Sequence, residues 1–338
     1  MNFKGKTTVR KAALVSVLFL VAGLPAFPAG TGLAELKDGM DAFAEGMARE
    51  LPFNAALGLN WSNAHIGRLF PAAPPHFGVG VSGGFSMMDL GTFAGLLDMV
   101  APVVSKDLAA LGGFAMPALM LEGRLGGLFL PFDLGVKIGF LPTAPGPFDR
   151  LDYFVVGGDL RYAVLKGNAV LPTVSVGVGI NRLSGGAERG LSGGMEFVHL
   201  ADGTEHTIAV SDPTLGIDWE TTTVDFKAQV SKSLLVVTPY LGFGASRGQS
   251  KVAYGLNADV SSQTLGDDLK EVLAGFGIST DTVDGALRGF SSRREVGGWA
   301  LRVFGGASVN LPLFRLDLTG MWNLKQSYGL TLGARFQL

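Results

Sequence analysis

Cysteine is absent from the 338 residues of this chain. Disulfide bonds, thiolate metal ligands and a lipid anchored on an amino-terminal cysteine are therefore excluded. Beyond residue 30 the sequence also lacks an uncharged apolar run as long as a transmembrane helix. Mean hydropathy is nevertheless +0.34, which is high for a soluble protein. The apolar residues must accordingly be spread through the chain in a pattern other than that of a spanning helix.

An excess of positive charge is lacking as well. The chain has 27 basic and 29 acidic residues, and without the four basic residues among its first eleven positions the net charge falls to −6. Nothing therefore indicates a nucleic-acid partner. The four histidines form neither an HExxH motif nor a pair four residues apart. We predict no metal, no cofactor and no catalytic residue, and we expect that the chain is not an enzyme.

The first 29 residues show the order of parts that is typical of a secretory signal peptide. A basic start precedes an apolar core from Ala12 to Leu24, and small residues follow at Ala26 and Ala29. Either alanine can precede the cleavage site. We predict a signal peptide over 1–29, an amino-terminal segment over 30–75 and a β domain over 76–338.

The amino-terminal segment is predicted to contain an amphipathic helix over 32–51. Acidic and basic residues lie opposite a stripe of apolar residues at helical spacing, namely Leu33, Leu36, Met40, Phe43, Met47 and Leu51. Two positions are open for this helix, a plug inside a barrel or a cap on its periplasmic side. The stretch 53–75 is expected to hold a short strand before its proline cluster ends regular structure.

From residue 76 onward, apolar and polar residues alternate with a period of two, which predicts antiparallel strands. Glycine supplies 50 of the 338 residues, about twice its usual share. Tight and long connections alternate, as in an up-and-down barrel whose tight turns face the periplasm, except that the link 324–326 is short where a long one is expected. Helices are expected in two long connections, at 92–111 and 267–276, and a hairpin at 196–201 and 207–210. The ten predicted strands are 76–86, 116–126, 131–141, 151–164, 169–182, 219–231, 235–247, 297–309, 312–323 and 327–338.

The last two strands form a predicted hairpin that reaches the carboxyl terminus. Its final motif, Thr331-x-Gly333-x-x-Phe336-x-Leu338, resembles the terminal signature of bacterial outer-membrane β-barrel proteins. The resemblance implies an all-β, antiparallel transmembrane barrel in the outer membrane, whose last strand is read by the barrel-assembly machinery. That signature usually ends on an aromatic residue, whereas this chain ends on Leu338. We predict about ten strands, within a range of 10 to 14.

Aromatic residues recur eight positions apart on the apolar face of five predicted strands. Eight residues of a tilted strand span roughly 20 Å of membrane normal, close to the ~25 Å between the aromatic girdles of outer-membrane barrels. This spacing favours a barrel that faces lipid over a secreted soluble β-sandwich, in which the apolar face would be buried. The five pairs are Phe77 and Phe85, Phe132 and Phe140, Phe154 and Tyr162, Phe314 and Trp322, and Tyr328 and Phe336.

The same registers direct charged residues of both signs toward the lumen. Mixed signs are typical of an interior that is held together by ion pairs, whereas a selective pore usually carries a ring of one sign. A barrel of about ten strands is also too narrow for a general porin. The predicted lumen-lining residues are Glu122, Arg124, Asp133, Lys137, Asp159, Arg161, Asp225, Lys227, Arg302, Arg315, Asp317 and Arg335.

Three functions are compatible with this sequence. The first is a narrow channel or transporter for a small or hydrophobic solute, with the helix as plug or gate. The second is a structural anchor, an adhesin-like surface protein that acts through long extracellular loops. The third is a hydrolase embedded in the barrel, because Ser192 lies in a GxSxG motif near His199 and His206. An open lumen would favour passage of a solute, and a packed one would favour anchorage.

Overall fold

The structure, a computed structural model, describes residues 33–67, 76–88, 114–127, 130–141, 149–190, 195–201, 204–262, 291–324 and 327–338. These residues form one helix, α1 (Leu33–Ala55), and eleven strands. The strands are β1 (Phe77–Met88), β2 (Phe114–Gly126), β3 (Phe132–Phe140), β4 (Arg150–Leu165), β5 (Thr173–Gly190), β6 (Met195–Ala201), β7 (Thr204–Ser231), β8 (Val237–Ser262), β9 (Ser291–Asn310), β10 (Phe314–Asn323) and β11 (Tyr328–Gln337).

Ten of these strands form a closed antiparallel barrel. Neighbours in sequence pair with one another from β1 to β5 and from β7 to β11, and the first strand pairs with the last over Gly78 to Met87. Pairing of β5 with β7 completes the ring, whereas β6 pairs with β7 alone. The predicted barrel and its count of ten strands are confirmed, with one helix preceding the barrel.

The strands bury their polar face and expose their apolar face. On β3, Asp133 and Lys137 are buried, whereas the alternate residues Leu134, Val136 and Ile138 are 42% to 56% exposed. Phe314, Leu316 and Leu318 on β10 are likewise 47% to 56% exposed. A soluble sandwich would bury these side chains beneath a second sheet. At these positions the apolar side chains face outward, and the charged side chains of β3 face inward.

One side of the barrel continues far beyond the predicted strands. β7 has 28 residues and β8 has 26, although about 9–11 residues are enough to cross a bilayer. The predicted hairpin is present as the pairing of β6 with β7, in the register Met195↔Val210 to Ala201↔Thr204. Its predicted turn, 202–203, lies outside the described residues. We call the extended side of the barrel the long-strand end and the side of the tight links the short-turn end.

The start of β5 and the end of α1 also differ from the predicted boundaries. β5 begins at Thr173 instead of residue 169, because Asn168 forms a turn in which its Oδ1 accepts the amide protons of Val170 and Leu171 at 2.8 Å each. α1 continues through Pro52 to Ala55 rather than ending at residue 51. The strand expected within 53–75 is wrong for the described part of that stretch, because no strand follows α1 up to residue 67.

Several predicted segments lie outside the described residues. They are the signal peptide over 1–29, the proline cluster before residue 76 and the helices at 92–111 and 267–276. In the part of the chain that is described, no helix has both the length and the apolar character needed to cross a membrane.

Candidate functional site: the occupied interior of the barrel

The segment that precedes the barrel lies inside it. α1 packs against β7, β8 and β9, and every residue from 51 to 62 is buried. Of the predicted apolar stripe, Met40, Met47 and Leu51 are buried and Phe43 is half-buried, while the side chains of Leu33 and Leu36 are not described. We call residues 40–66 the inner segment.

The inner segment runs along the barrel axis in the same direction as β7. On that strand Lys227 Nζ donates to the Leu59 carbonyl at 3.2 Å, and Gln229 Nε2 donates to the Trp61 carbonyl at 2.7 Å. Ser231 Oγ then accepts the amide proton of Ala64 at 2.9 Å. Successive inward positions on β7 thus bind successive positions of the segment, which is extended from about residue 59 onward.

A tight bend joins the helix to this extended part. Gly58 has φ +79° and Leu59 has φ +55°, both in the left-handed region that glycine tolerates best. A Cβ at Gly58 would approach Met120 Sδ to 2.7 Å. Leu59 is held in its strained conformation by hydrogen bonds, since its amide donates to Glu122 Oε2 at 3.1 Å and its carbonyl accepts from Arg124 at 3.2 Å. The wall of the barrel therefore fixes this bend.

The barrel wall carries the charged residues that the sequence placed toward the lumen. Ten of the twelve are buried, and the other two, Arg315 and Asp317, are half-buried. These residues contact one another or the inner segment. That they line a passage for solutes stays a prediction. The buried ten are Glu122, Arg124, Asp133, Lys137, Asp159, Arg161, Asp225, Lys227, Arg302 and Arg335.

Asp133 is the centre of the larger ion-pair network. Its carboxylate is fully buried and accepts hydrogen bonds from Arg124 and from Arg161 Nε, the latter at 2.8 Å. The inner segment adds the backbone amide of Ile66 at 3.2 Å and the ring of His65 at 3.1 Å. A buried carboxylate is stable only when its lone pairs are satisfied in this way. Donors from the wall and from the inner segment together satisfy the carboxylate of Asp133.

A second network joins neighbouring strands on the opposite part of the wall. Arg302 pairs with both oxygens of Asp225, at 2.7 and 2.8 Å, and Ser246 donates to the same carboxylate at 2.8 Å. Asp159 on β4 connects the two networks, because it accepts from Arg124 at 3.0 Å and pairs with Lys227 on β7. These ion pairs cross-link the strands from within.

Backbone carbonyls of the inner segment accept hydrogen bonds from basic residues of the wall. The twelve inward residues include five acids and seven bases, so the acids alone cannot neutralise the bases. Lys137 donates to the carbonyls of Ala55 and Leu57, where α1 ends and its dipole is negative. Arg161 Nη1 donates to the carbonyl of Asn63 at 2.9 Å. The segment therefore supplies acceptors that the wall lacks.

The side chain of Trp61 connects the inner segment to two strands of the wall, β2 and β11. Its indole N–H donates to Glu122 Oε2 at 2.6 Å, and its ring lies beneath Arg335 and Arg124, whose guanidinium carbons are 4.6 and 5.6 Å from the ring centroid. A cavity of about 30 Å³ adjoins this contact, with Asp317 among its lining residues. Such a cavity holds about one water molecule. This cavity is too small for a solute larger than water.

Three residues at the long-strand end hold the start of the inner segment. Asp41 accepts hydrogen bonds from Tyr254 at 2.7 Å, from Ser292 at 3.0 Å and from Arg294 Nε at 2.9 Å. Burial raises the pKa of the Tyr254 phenol, and its hydrogen bond to Asp41 raises that pKa further. The phenol therefore remains protonated and donates to Asp41 at physiological pH. These hydrogen bonds attach the amino-terminal half of α1 to β8 and β9.

The predicted girdle aromatics lie on the outer face or at its edge. Phe314 and Trp322 are each 56% exposed, and the Phe314 ring packs edge-on against Phe336 with centroids 5.9 Å apart. That these residues contact lipid stays a prediction. Phe140, Phe154 and Tyr162 are also exposed, and Phe77, Phe85, Phe132, Tyr328 and Phe336 are half-buried.

The hydrolase motif lies mostly outside the described residues. Ser192 lies outside the described residues, and the side chains of His199 and His206 are not described, although their backbones pair across β6 and β7. Among the described residues no group of His, Asp and Glu side chains could hold a metal ion. Sequence reasoning missed Trp61 and Gln229, because nothing periodic in the stretch 56–66 indicates which wall residues it meets.

The chain matches no protein family, and no characterised protein matches it in sequence. Solved structures with a similar arrangement include the outer membrane protease OmpT from Escherichia coli, at 8% identity and a TM-score of 0.35, over 78% of this chain and 97% of that one. CdiB from Acinetobacter baumannii has 10% identity and a TM-score of 0.16, over 78% and 60% of the two chains. A mutant porin of Rh. blastica has 7% identity and a TM-score of 0.17, over 78% and 100%.

The prediction that the chain is not an enzyme is corrected by the first of these structures. That structure is a protease, so a barrel-shaped fold does not by itself exclude catalysis. Likenesses at these identities and TM-scores carry no argument about what this chain binds or converts.

Proposed function

We propose that this chain is an integral outer-membrane barrel, closed by its own inner segment, which anchors the long-strand end at the cell surface. The outer-membrane location is supported by the predicted signal peptide over 1–29, the apolar outer face and the resemblance of the motif from Thr331 to Leu338 to the outer-membrane barrel signature. Lipid of the outer membrane and the barrel-assembly machinery are then its expected partners.

The observation that carries the anchor role is the continuous burial of residues 51–62 within the ring of strands. The wall binds this segment through charged groups that donate to its backbone carbonyls, as Lys137 does to Ala55. A hydrogen bond to a charged group contributes roughly 1.5–3 kcal/mol. The closed state is accordingly the stable resting state, and a closed lumen favours anchorage over passage.

The part that is displayed is a polar extension of the sheet. Above the apolar band, outward residues on neighbouring strands form exposed ion pairs, Arg182 with Glu220 at 3.4 Å and Lys251 with Glu295 at 3.8 Å. Such pairs contribute little stability, about 0–1 kcal/mol each, but they suit a surface in water. This extension is the surface that a neighbouring protein or a matrix would meet.

The test of the anchor role is conductance in planar bilayers. Purified protein that has been shown to be folded should give no steady current, because the inner segment blocks the lumen. Uptake of small solutes by cells should not change when the protein is removed. A steady single-channel current from the unmodified protein would refute the anchor role and favour a channel.

A gated channel for small or hydrophobic solutes is the second candidate, because the contacts between wall and segment are mostly polar and water can replace them. The wall alone carries seven bases against five acids, so an emptied barrel should prefer anions. A variant lacking residues 40–66 is expected to conduct with anion selectivity. The channel role requires in addition that a solute opens the full-length protein, and a full-length protein silent toward every solute tried would exclude it.

A further inference from the structure

The inner segment passes through the barrel in a defined direction, from one end of the barrel to the other. A plug that enters from the periplasm would begin at the short-turn end of the barrel. Here the order of contacts is reversed, since the first residues of the segment bind the long-strand end and the last ones bind the short-turn end. This order is visible on several strands independently.

At the long-strand end the contacts involve the earliest residues of the segment. Asp41 binds Tyr254 on β8 and Ser292 on β9. Both residues lie far from the tight links of these strands, 232–236 before β8 and 311–313 after β9. Glu50 then accepts from Ser327, which precedes β11, at 2.6 Å. Asn54 donates to Ser86, near the last residue of β1, at 2.7 Å.

At the short-turn end the contacts involve the last residues of the segment. Ala64 binds Ser231, the final residue of β7, immediately before the tight link to β8. A Cβ at Gly67 would lie 2.4 Å from the ring of His76, which directly precedes β1. The His76 carbonyl in turn accepts from the Gly126 amide at the end of β2. The segment therefore leaves the lumen where the first barrel strand begins.

We infer that the chain threads the barrel from outside to inside, so that the amino-terminal end of α1 is displayed on the cell surface. The inference rests on the outer-membrane placement proposed above and on tight turns that face the periplasm. It adds α1 to the surface that a partner meets. The solvent-exposed residues of α1 fall on one face, at Asp38, Ala42, Glu45 and Arg49.

Single cysteines test this topology, because the chain contains no other cysteine. Three variants are compared, Asp38→Cys on α1, Glu295→Cys at the long-strand end and Leu235→Cys in the tight link between β7 and β8. All three sites are exposed, and Leu235 is fully so. Intact and permeabilised cells are treated with a membrane-impermeant maleimide, and the labelled fraction of each variant is measured.

Asp38→Cys and Glu295→Cys should be labelled in intact cells, and Leu235→Cys only after the outer membrane is permeabilised. Labelling of Asp38→Cys only after permeabilisation would overturn the inference, as would labelling of all three variants in intact cells. Fractionation of the unmodified protein tests the outer-membrane placement separately. In reconstituted vesicles, Asp38→Cys must still share its side with Glu295→Cys, so failure of the location and failure of the threading can be told apart.

Discussion

At the scale of single residues, the stability of this protein depends on buried charges that are satisfied from two directions. Asp133 shows the arrangement, since it is bound by two arginines of the wall and by the amide of Ile66 from the inner segment. Such a group contributes to stability mainly because its removal leaves its partners buried and unpaired. Substitutions at these positions should therefore have large effects.

Asp133→Asn should lower the free energy of unfolding by about 3–5 kcal/mol, because two buried guanidinium groups lose their counter-charge. Asp152→Asn is the matched control, since the Asp152 side chain is 65% exposed and its ion pair with Arg150 lies at the surface. That control should change stability by less than about 1 kcal/mol. Unfolding in urea, followed by heat-modifiable gel migration, measures both. Equal effects at the two positions would contradict the buried network.

Trp61→Phe isolates the hydrogen bond from the indole to Glu122, because the substitution keeps an aromatic ring between the arginines. We expect a loss of about 1–3 kcal/mol, the cost of removing one hydrogen-bond donor from a buried charged acceptor. Trp299→Phe, at a residue that is 50% exposed on the outer face, serves as the control and should be nearly neutral. A neutral Trp61→Phe would mean that Trp61 does not fasten the segment.

At the scale of elements, the bend after α1 decides whether the helix and the extended run fit in one lumen. Gly58 provides that bend with a positive φ and a close approach to Met120. The extended run can then follow β7 residue by residue. Any side chain at position 58 must strain the backbone and displace the wall.

Gly58→Ala should destabilise the protein by about 1–2 kcal/mol, since an L-residue in the left-handed region costs about this much. Gly298→Ala is the matched control, because a Cβ at Gly298 would meet nothing within 4 Å. Both variants can be compared by urea unfolding and by protease sensitivity of the inner segment. If Gly58→Ala is as stable and as protected as Gly298→Ala, the bend is not required.

At the scale of the whole molecule, the barrel and its two faces were predictable from sequence. Two-residue alternation determines which side of a strand each residue faces, so the sequence alone predicts opposite faces for Asp133 and Leu134 on β3. Alternation weakens outside the apolar band, where both faces of a strand can be polar. The extensions of β7 and β8 were therefore missed.

The path of the inner segment was not predictable in this way. Residues 56–66 carry no helical or two-residue period, and their partners lie far away in the sequence, as Trp61 and Gln229 illustrate. A helix pattern over 32–51 predicts an amphipathic face but not the wall it meets. The contacts between the helix and the wall decide between a plug and a cap, because they place residues 40–66 inside the ring.

The central claim is that the inner segment occupies the lumen of the folded protein. Ser62 on the segment and Ser308 on β9 are hydrogen-bonded with their Oγ atoms 2.7 Å apart, so two cysteines there are close enough to form a disulfide. The measurement is the yield of the cross-linked peptide by mass spectrometry, after mild oxidation of the Ser62→Cys, Ser308→Cys double variant in isolated outer membranes. The control pairs Ser62→Cys with Ser250→Cys, which lies on β8 opposite Val296. We predict a high yield for the first pair and none for the second; no cross-link in the first pair, or equal yields in both, would contradict a filled barrel.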